Sequence, residues 1–212
     1  SSDVCSSDLS SHESLRQGFR EGHKNQLIMA PTGAGKTVVG EFAVHLALAA
    51  GRKCFYTTPI KALSNQKFHE FSRAFGAERV GLLSGDTSVN SEADVVVMTT
   101  EVLRNMIYAR SGQLDRLGYV VMDEVHYLAD RFRGAVWEEV IIHLPSEVQV
   151  VSLSATVSNA EEFGAWLDTV RGDTDIIVSE PCTTVSFRLL DLVQVGFEHL
   201  QLETDAPGLA AQ

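Results

Sequence analysis

The chain has 212 residues, 44% of them hydrophobic and 21% charged, with a formal net charge of −11. That composition suits one large folded domain, or one with a tail. No apolar run approaches the ~20 residues of a membrane-spanning helix, and the acidic balance argues against a surface that wraps nucleic acid on all sides, while leaving room for a local basic track.

The first nine residues, SSDVCSSDL, are polar and carry no hydrophobic period. One back-translation of them resembles the end of a common sequencing adapter, so residues 1–9 read as an assembly scar outside the fold. No stretch near the start joins basic residues to an apolar core, which argues against a secretory signal. The three cysteines, Cys5, Cys54 and Cys182, are odd in number and lack metal-like spacing. Such usage fits a reducing cytoplasm.

From Gln26 onward, short apolar runs alternate with helical stretches. QLIMA (26–30) comes first, and the helix pattern TVVGEFAVHLALAAG follows it. KCFYTT (53–58) precedes KALSNQKFHEFSRAFG. RVGLLS (79–84) and DVVVMTT (94–100) precede EVLRNMIYARS. YVVMD (119–123) leads to GAVWEEVIIHL, VQVVSLS (148–154) to NAEEFGAWLDTV, and DIIVS (175–179) closes the series. Continuous apolar runs indicate strands buried on both faces. Their alternation with helices predicts an α/β fold, a doubly wound and mainly parallel sheet with helices on both faces. Ligands of such sheets sit at the carboxyl ends of the strands. The domain is expected to span 10–180. Residues 181–212 diverge from the pattern and end in a polar tail.

Between the first strand and its helix lies APTGAGKT, Ala30 to Thr37. Gly33 and Gly35 allow turns that bring backbone N–H groups onto an anion, and the helix N-terminus adds a favourable field. Lys36 is placed to reach β- and γ-phosphates, and the Thr37 hydroxyl to serve Mg²⁺. Ala30 stands where the usual pattern has glycine. An acidic element follows the strand YVVM: Asp123 would hold Mg²⁺ through water, and Glu124 would orient or deprotonate an attacking water. Trp137 and Trp166 read as packing residues, as do His45, His69 and His143.

APTGAGKT, TTPIKALSNQK, GLLSGDTSVN, TTEVLRNM, DEVHYLADRFRG and LSAT occur in the order found in superfamily 2 helicases. The DEVH spelling and the following DRFRGAVWEE resemble the Ski-like DExH group, near the actinobacterial HelY type. The resemblance covers 30–180 and implies a RecA-like first lobe of the P-loop NTPase class, binding ATP and Mg²⁺. It assigns Ala30, Pro31, Thr32, Gly33, Ala34, Gly35, Lys36 and Thr37 to ATP, and Thr37 and Asp123 to the metal. Lys36, Asp123, Glu124 and His126 are implied as catalytic, with His126 linking the nucleotide site to Ser154, Ala155 and Thr156, which would couple hydrolysis to strand movement. Pro59, Lys61, Ala62, Gln66, Gly85, Asp86, Thr100 and Glu101 resemble loops that hold a single-stranded nucleic-acid backbone, RNA before DNA. Lys67 and Asn65 add donors on the same helix.

Two departures from the family accompany this. The upstream glutamine element has Gln17 as its nearest candidate. Nothing between Glu180 and Gln212 resembles the second RecA-like lobe, whose Gln-x-x-Gly-Arg-x-Gly-Arg element carries an arginine finger. The expected function is therefore the ATP-binding lobe of an ATP-dependent helicase, with the second lobe as its partner. A DNA-repair helicase lobe and a non-enzymatic nucleotide- or nucleic-acid-binding fragment are the alternatives.

Overall fold

Each of the seven apolar runs forms a strand in the computed structural model, which describes residues 25–31, 35–126, 134–155 and 160–178. The strands are β1 (Asn25–Met29), β2 (Lys53–Thr58), β3 (Val80–Leu83), β5 (Val95–Thr99), β6 (Leu117–Met122), β7 (Gln149–Ser154) and β8 (Thr174–Val178). An eighth, β4 (Ser88–Val89), is unforeseen. It is two exposed residues long and pairs antiparallel with β3. The sheet order is β4-β3-β5-β2-β6-β7-β1-β8, and every other pairing is parallel.

The α-helices among the described residues also fall where the sequence places them. They are α1 (Lys36–Ala49), α2 (Lys61–Phe75), α3 (Thr100–Tyr108), α4 (Gly134–His143) and α5 (Ala160–Arg171). Alternation within the strands splits the core in two. Ile28, Tyr56, Val121, Val151 and Leu153 pack with Val39, Phe42 and Ala43 of α1 and Phe71 of α2. On the other face Leu27, Met29, Phe55, Val120 and Met122 pack with Leu103 of α3, Trp137 and Ile141 of α4, and Leu167 of α5. Helices on both faces explain why the strands carry unbroken apolar runs.

Trp137 is buried in this second layer, as expected of a packing residue, and Trp166 stacks on Phe163 with ring centroids 5.8 Å apart. His45 meets Phe75 edge to face, and the Nδ1 of His143 lies 2.8 Å from the Glu139 carbonyl. Among the described residues no helix is long and apolar enough to cross a membrane.

The topology sets the site. β6, β7 and β1 are neighbours, so the segments leaving their carboxyl ends lie side by side. Those segments carry Asp123–Glu124, Ser154–Ala155 and the Ala30–Thr37 loop. The backbone N–H of Ala30 donates to the Ser154 carbonyl at 3.1 Å, tying the first residue of the loop to the end of β7.

Candidate nucleotide site

Gly35 precedes α1 with φ 87° and ψ 16°, a left-handed conformation that glycine adopts without strain. Among the described residues no side chain caps this helix start and no acidic residue occupies its first turn, an arrangement that suits an external anion. Lys36 and Thr37 follow at once. Lys36 is buried, and its ammonium donates to the carbonyls of Ala30 at 2.7 Å and Pro31 at 3.1 Å. Burial lowers its pKa below the ordinary 10.5, while the carboxylates of Glu124 and Asp123 act in the opposite direction.

Asp123 and Glu124 end the β6 segment. The Asp123 N–H donates to Thr57 O at 2.9 Å, continuing the sheet ladder one residue further. Its Oδ1 accepts from the Glu124 N–H at 2.9 Å, and its Oδ2 accepts from the Tyr56 hydroxyl at 2.7 Å. Glu124 has φ 58°, a conformation costing a non-glycine residue about 1–2 kcal/mol. Strain of this kind gathers at functional sites. Glu124 Oε2 lies 3.2 Å from Nδ1 of His126, which brings these two members of the DEVH element together.

Gly35, Lys36, Thr37, Asp123 and Glu124 line one cavity of about 370 Å³, together with Leu63, Gln66 and Lys67 of α2. Gln66 and Lys67 were expected beside the nucleic-acid loops. The structure sets them on the same cavity as Lys36. The Lys67 ammonium donates to Thr37 Oγ1 at 3.3 Å and to Glu70 Oε2 at 2.8 Å, and Gln66 Nε2 donates to Glu70 Oε1 at 2.8 Å. Burial raises the Glu70 carboxyl, but these hydrogen bonds outweigh it and hold the group below its usual range.

The donor set fits ATP and Mg²⁺. A glycine turn at an uncapped helix start suits phosphate, and a cavity lined by one hydroxyl and two carboxylates offers the hard oxygen atoms that Mg²⁺ takes from proteins alongside phosphate oxygens.

The other predicted loops gather at the carboxyl ends of β2, β3 and β5, which adjoin in the sheet. Pro59 is buried, and Lys61, Ala62, Gly85, Asp86 and Glu101 are exposed. Lys61 Nζ contacts both carboxylate oxygens of Asp86, at 2.5 and 2.6 Å. That hydrogen bond and one from Ser84 lower the Asp86 pKa. Thr100 is buried, and its hydroxyl donates to Thr58 O at 3.4 Å. Thr58 Oγ1 lies 2.7 Å from Ser64 Oγ and donates to Ile60 O at 3.1 Å, which fixes the start of α2. Thr32, Gly33, Ala34, Thr156 and Gln17 lie outside the described residues. Tyr56 escaped the sequence reading. The available signal was a tyrosine within a strand buried on both faces, since a buried phenol needs a hydrogen-bond partner.

The profile of the DEAD/DEAH box helicase family matches residues 12–163. The chain belongs to this family. Over 162 residues it is 72% identical to the probable helicase HelY of Mycobacterium tuberculosis, a match covering 76% of this chain and 18% of that protein. Over 159 residues it is 49% identical to the DExH-box ATP-dependent RNA helicase DExH15, chloroplastic, of Arabidopsis thaliana, covering 72% of this chain and 14% of that one. The chain thus spans less than a fifth of the length of these relatives. Among solved structures, Mycobacterium smegmatis helicase Lhr bound to ssDNA and AMP-PNP superposes with a TM-score of 0.62 at 26% identity, over 82% of this chain and 25% of that one. The chain is a DExH-type helicase lobe, and its α/β sheet is that of RecA-like helicase domains.

Proposed function

We propose that this lobe binds ATP with Mg²⁺ and serves a parent enzyme that couples ATP hydrolysis to movement along single-stranded RNA. The observation carrying the proposal is the convergence of Lys36, Thr37, Asp123 and Glu124 on one cavity at the ends of β1 and β6. The Lys36 ammonium and the first N–H groups of α1 bind the terminal phosphates and draw charge from the γ-phosphoryl as its bond to ADP breaks. Thr37 and Asp123 would hold the metal, which would supply positive charge to offset that of the phosphates. Glu124 orients the attacking water and accepts its proton, and His126 Nδ1, beside Glu124 Oε2, passes the state of the site toward Ser154 and Ala155.

Among the described residues the cavity is lined by two lysines and no arginine. An arginine finger, worth about 10³–10⁵ in rate, would come from a second RecA-like lobe. Unwinding needs two lobes that close on ATP and reopen. RNA is favoured because the Arabidopsis relative is an RNA helicase; the ssDNA in the Lhr structure supports a DNA-acting parent as the second reading. Lys61 and the loops ending at Asp86 and Thr100 would hold the strand backbone without reading bases.

Turnover assays test this. The isolated 212-residue chain should bind Mg²⁺–ATP but turn it over very slowly, with or without RNA. Adding a second lobe should restore turnover, and Glu124→Gln should abolish the restored rate while leaving binding in place. RNA-stimulated turnover of several per second by the pure chain alone would overturn the proposed division of labour.

A further inference from the structure

Tyr56 lies in the middle of β2 with no solvent exposure. Its ring meets Phe71 edge to face at 4.9 Å, and its hydroxyl reaches the Asp123 carboxylate at 2.7 Å. A phenol is protonated at neutral pH and a carboxylate only accepts, so Tyr56 is the donor in this contact. Asp123 thus receives one donor on each oxygen, from Tyr56 on Oδ2 and from the Glu124 N–H on Oδ1. Two donors on opposite oxygens fix the plane of the carboxylate, and about two of its four acceptor sites stay available.

The ring has this position because of Gly40. A Cβ at Gly40 would lie 2.9 Å from Cε2 of Tyr56 and 3.3 Å from Cδ1 of Leu153. Glycine weakens a helix interior, and one inside α1 calls for a packing reason. Here the reason is a seat for the tyrosine, one turn beyond Thr37.

We propose that Tyr56, seated by Gly40, is a positioning residue that sets the plane of the Asp123 carboxylate for the hydrated Mg²⁺ of the bound nucleotide. The inference rests on the assignment of Asp123 to the metal made above. It makes a distinction that packing alone does not. Loss of the hydroxyl impairs the metal-dependent part of nucleotide binding and spares the part due to Lys36 and the helix start.

Calorimetry on the 212-residue chain reads both parts, by titrating ATP with Mg²⁺ in excess and again with the metal chelated. Tyr56→Phe keeps the ring and removes one oxygen. It should reduce the Mg²⁺-dependent gain in ATP affinity by about 10- to 150-fold, the range for a hydrogen bond to a charged group, and leave metal-free affinity within about twofold. Gly40→Ala keeps the hydroxyl but displaces the ring, and should reproduce the loss. Added to Tyr56→Phe it should have no further effect on the metal dependence, because the two act through one contact. An unchanged metal dependence in Tyr56→Phe, an equal loss with and without Mg²⁺, or additive effects of the two substitutions would each overturn the inference. Asp123→Asn separates it from its premise: if that change leaves the metal dependence intact, the assignment of Asp123 itself fails, and the role of Tyr56 with it.

Discussion

Lys36→Met isolates the phosphate-binding part of the site. Methionine keeps an unbranched chain of similar length and removes the charge and three donors. Two effects on the free chain oppose each other. The carbonyls of Ala30 and Pro31 lose their donor, about 1–3 kcal/mol if left unpaired. In return, no ammonium has to be held in a buried side chain, a burial that already lowers its pKa. The net change in stability should therefore be small. ATP binding has no such offset. One ammonium at ~4 Å from a phosphate charge contributes about 4 kcal/mol at an effective dielectric of 20, and a charge-assisted hydrogen bond about 1.5–3 kcal/mol in proteins. A loss of about 2–4 kcal/mol corresponds to roughly 30- to 900-fold in affinity. Calorimetric titration with ATP and a thermal melt of the same sample read the two quantities together. Affinity within about threefold of the unsubstituted chain would refute the placement of Lys36 at the phosphates. A pH series adds a second signature. Between the lowered folded pKa and 10.5 the unfolded chain binds the extra proton, so the Lys36 contribution to stability rises with pH. Nucleotide affinity falls over the same window as the amine loses its charge. Both trends should vanish in Lys36→Met.

Lys61 is engaged by Asp86 in an exposed pair, which a phosphate can displace in water. Asp86→Asn should therefore tighten single-strand binding, whereas Lys61→Ala should weaken it and reduce the log–log salt slope by about 0.7; fluorescence anisotropy across a salt series gives both, and an unaltered slope in Lys61→Ala would count against a phosphate contact. Lys67→Ala should change ATP affinity and leave that slope alone, since its ammonium lies on the nucleotide cavity beside Thr37; a change in slope without a change in ATP affinity would return it to the strand-binding group. Trp137→Ala should destabilise the lobe by about 3–5 kcal/mol, as expected for a fully buried aromatic, read as a lower denaturant midpoint.

The strands and helices were legible because burial on both faces leaves a plain mark: VVVM, VVM and LIM carry no polar residue. β4 left no such mark. It is two exposed residues, and its pairing with Leu82 and Leu83 depends on a turn rather than a pattern. Of the candidate site, the chain order of APTGAGKT and DEVH was enough to anticipate their shared cavity. The partners of those residues were not visible. Tyr56 and Asp123 are 67 positions apart and meet only because β2 and β6 are neighbours, a fact of strand order. The turning of Gln66 and Lys67 toward the phosphate loop likewise depends on how α2 packs beside α1, which the helical period of α2 alone leaves open.

The place of β1 in the sheet has a consequence for biosynthesis. Among the described strands β1 is made first, yet its neighbours in the sheet are β7 and β8, and roughly 120 residues separate it from the nearer. At about 5–20 residues per second, the strand that feeds the phosphate loop waits on the order of 6–25 seconds before a ladder partner exists. Pairings between β2, β5 and β6 can form earlier on the ribosome. The cavity lined by Lys36, Thr37, Asp123 and Glu124 should therefore be the last part of the lobe to be completed. Nascent chains arrested before Gln149 emerges should show no nucleotide-dependent protection from protease, and protection should begin abruptly once β7 and β8 are outside the tunnel.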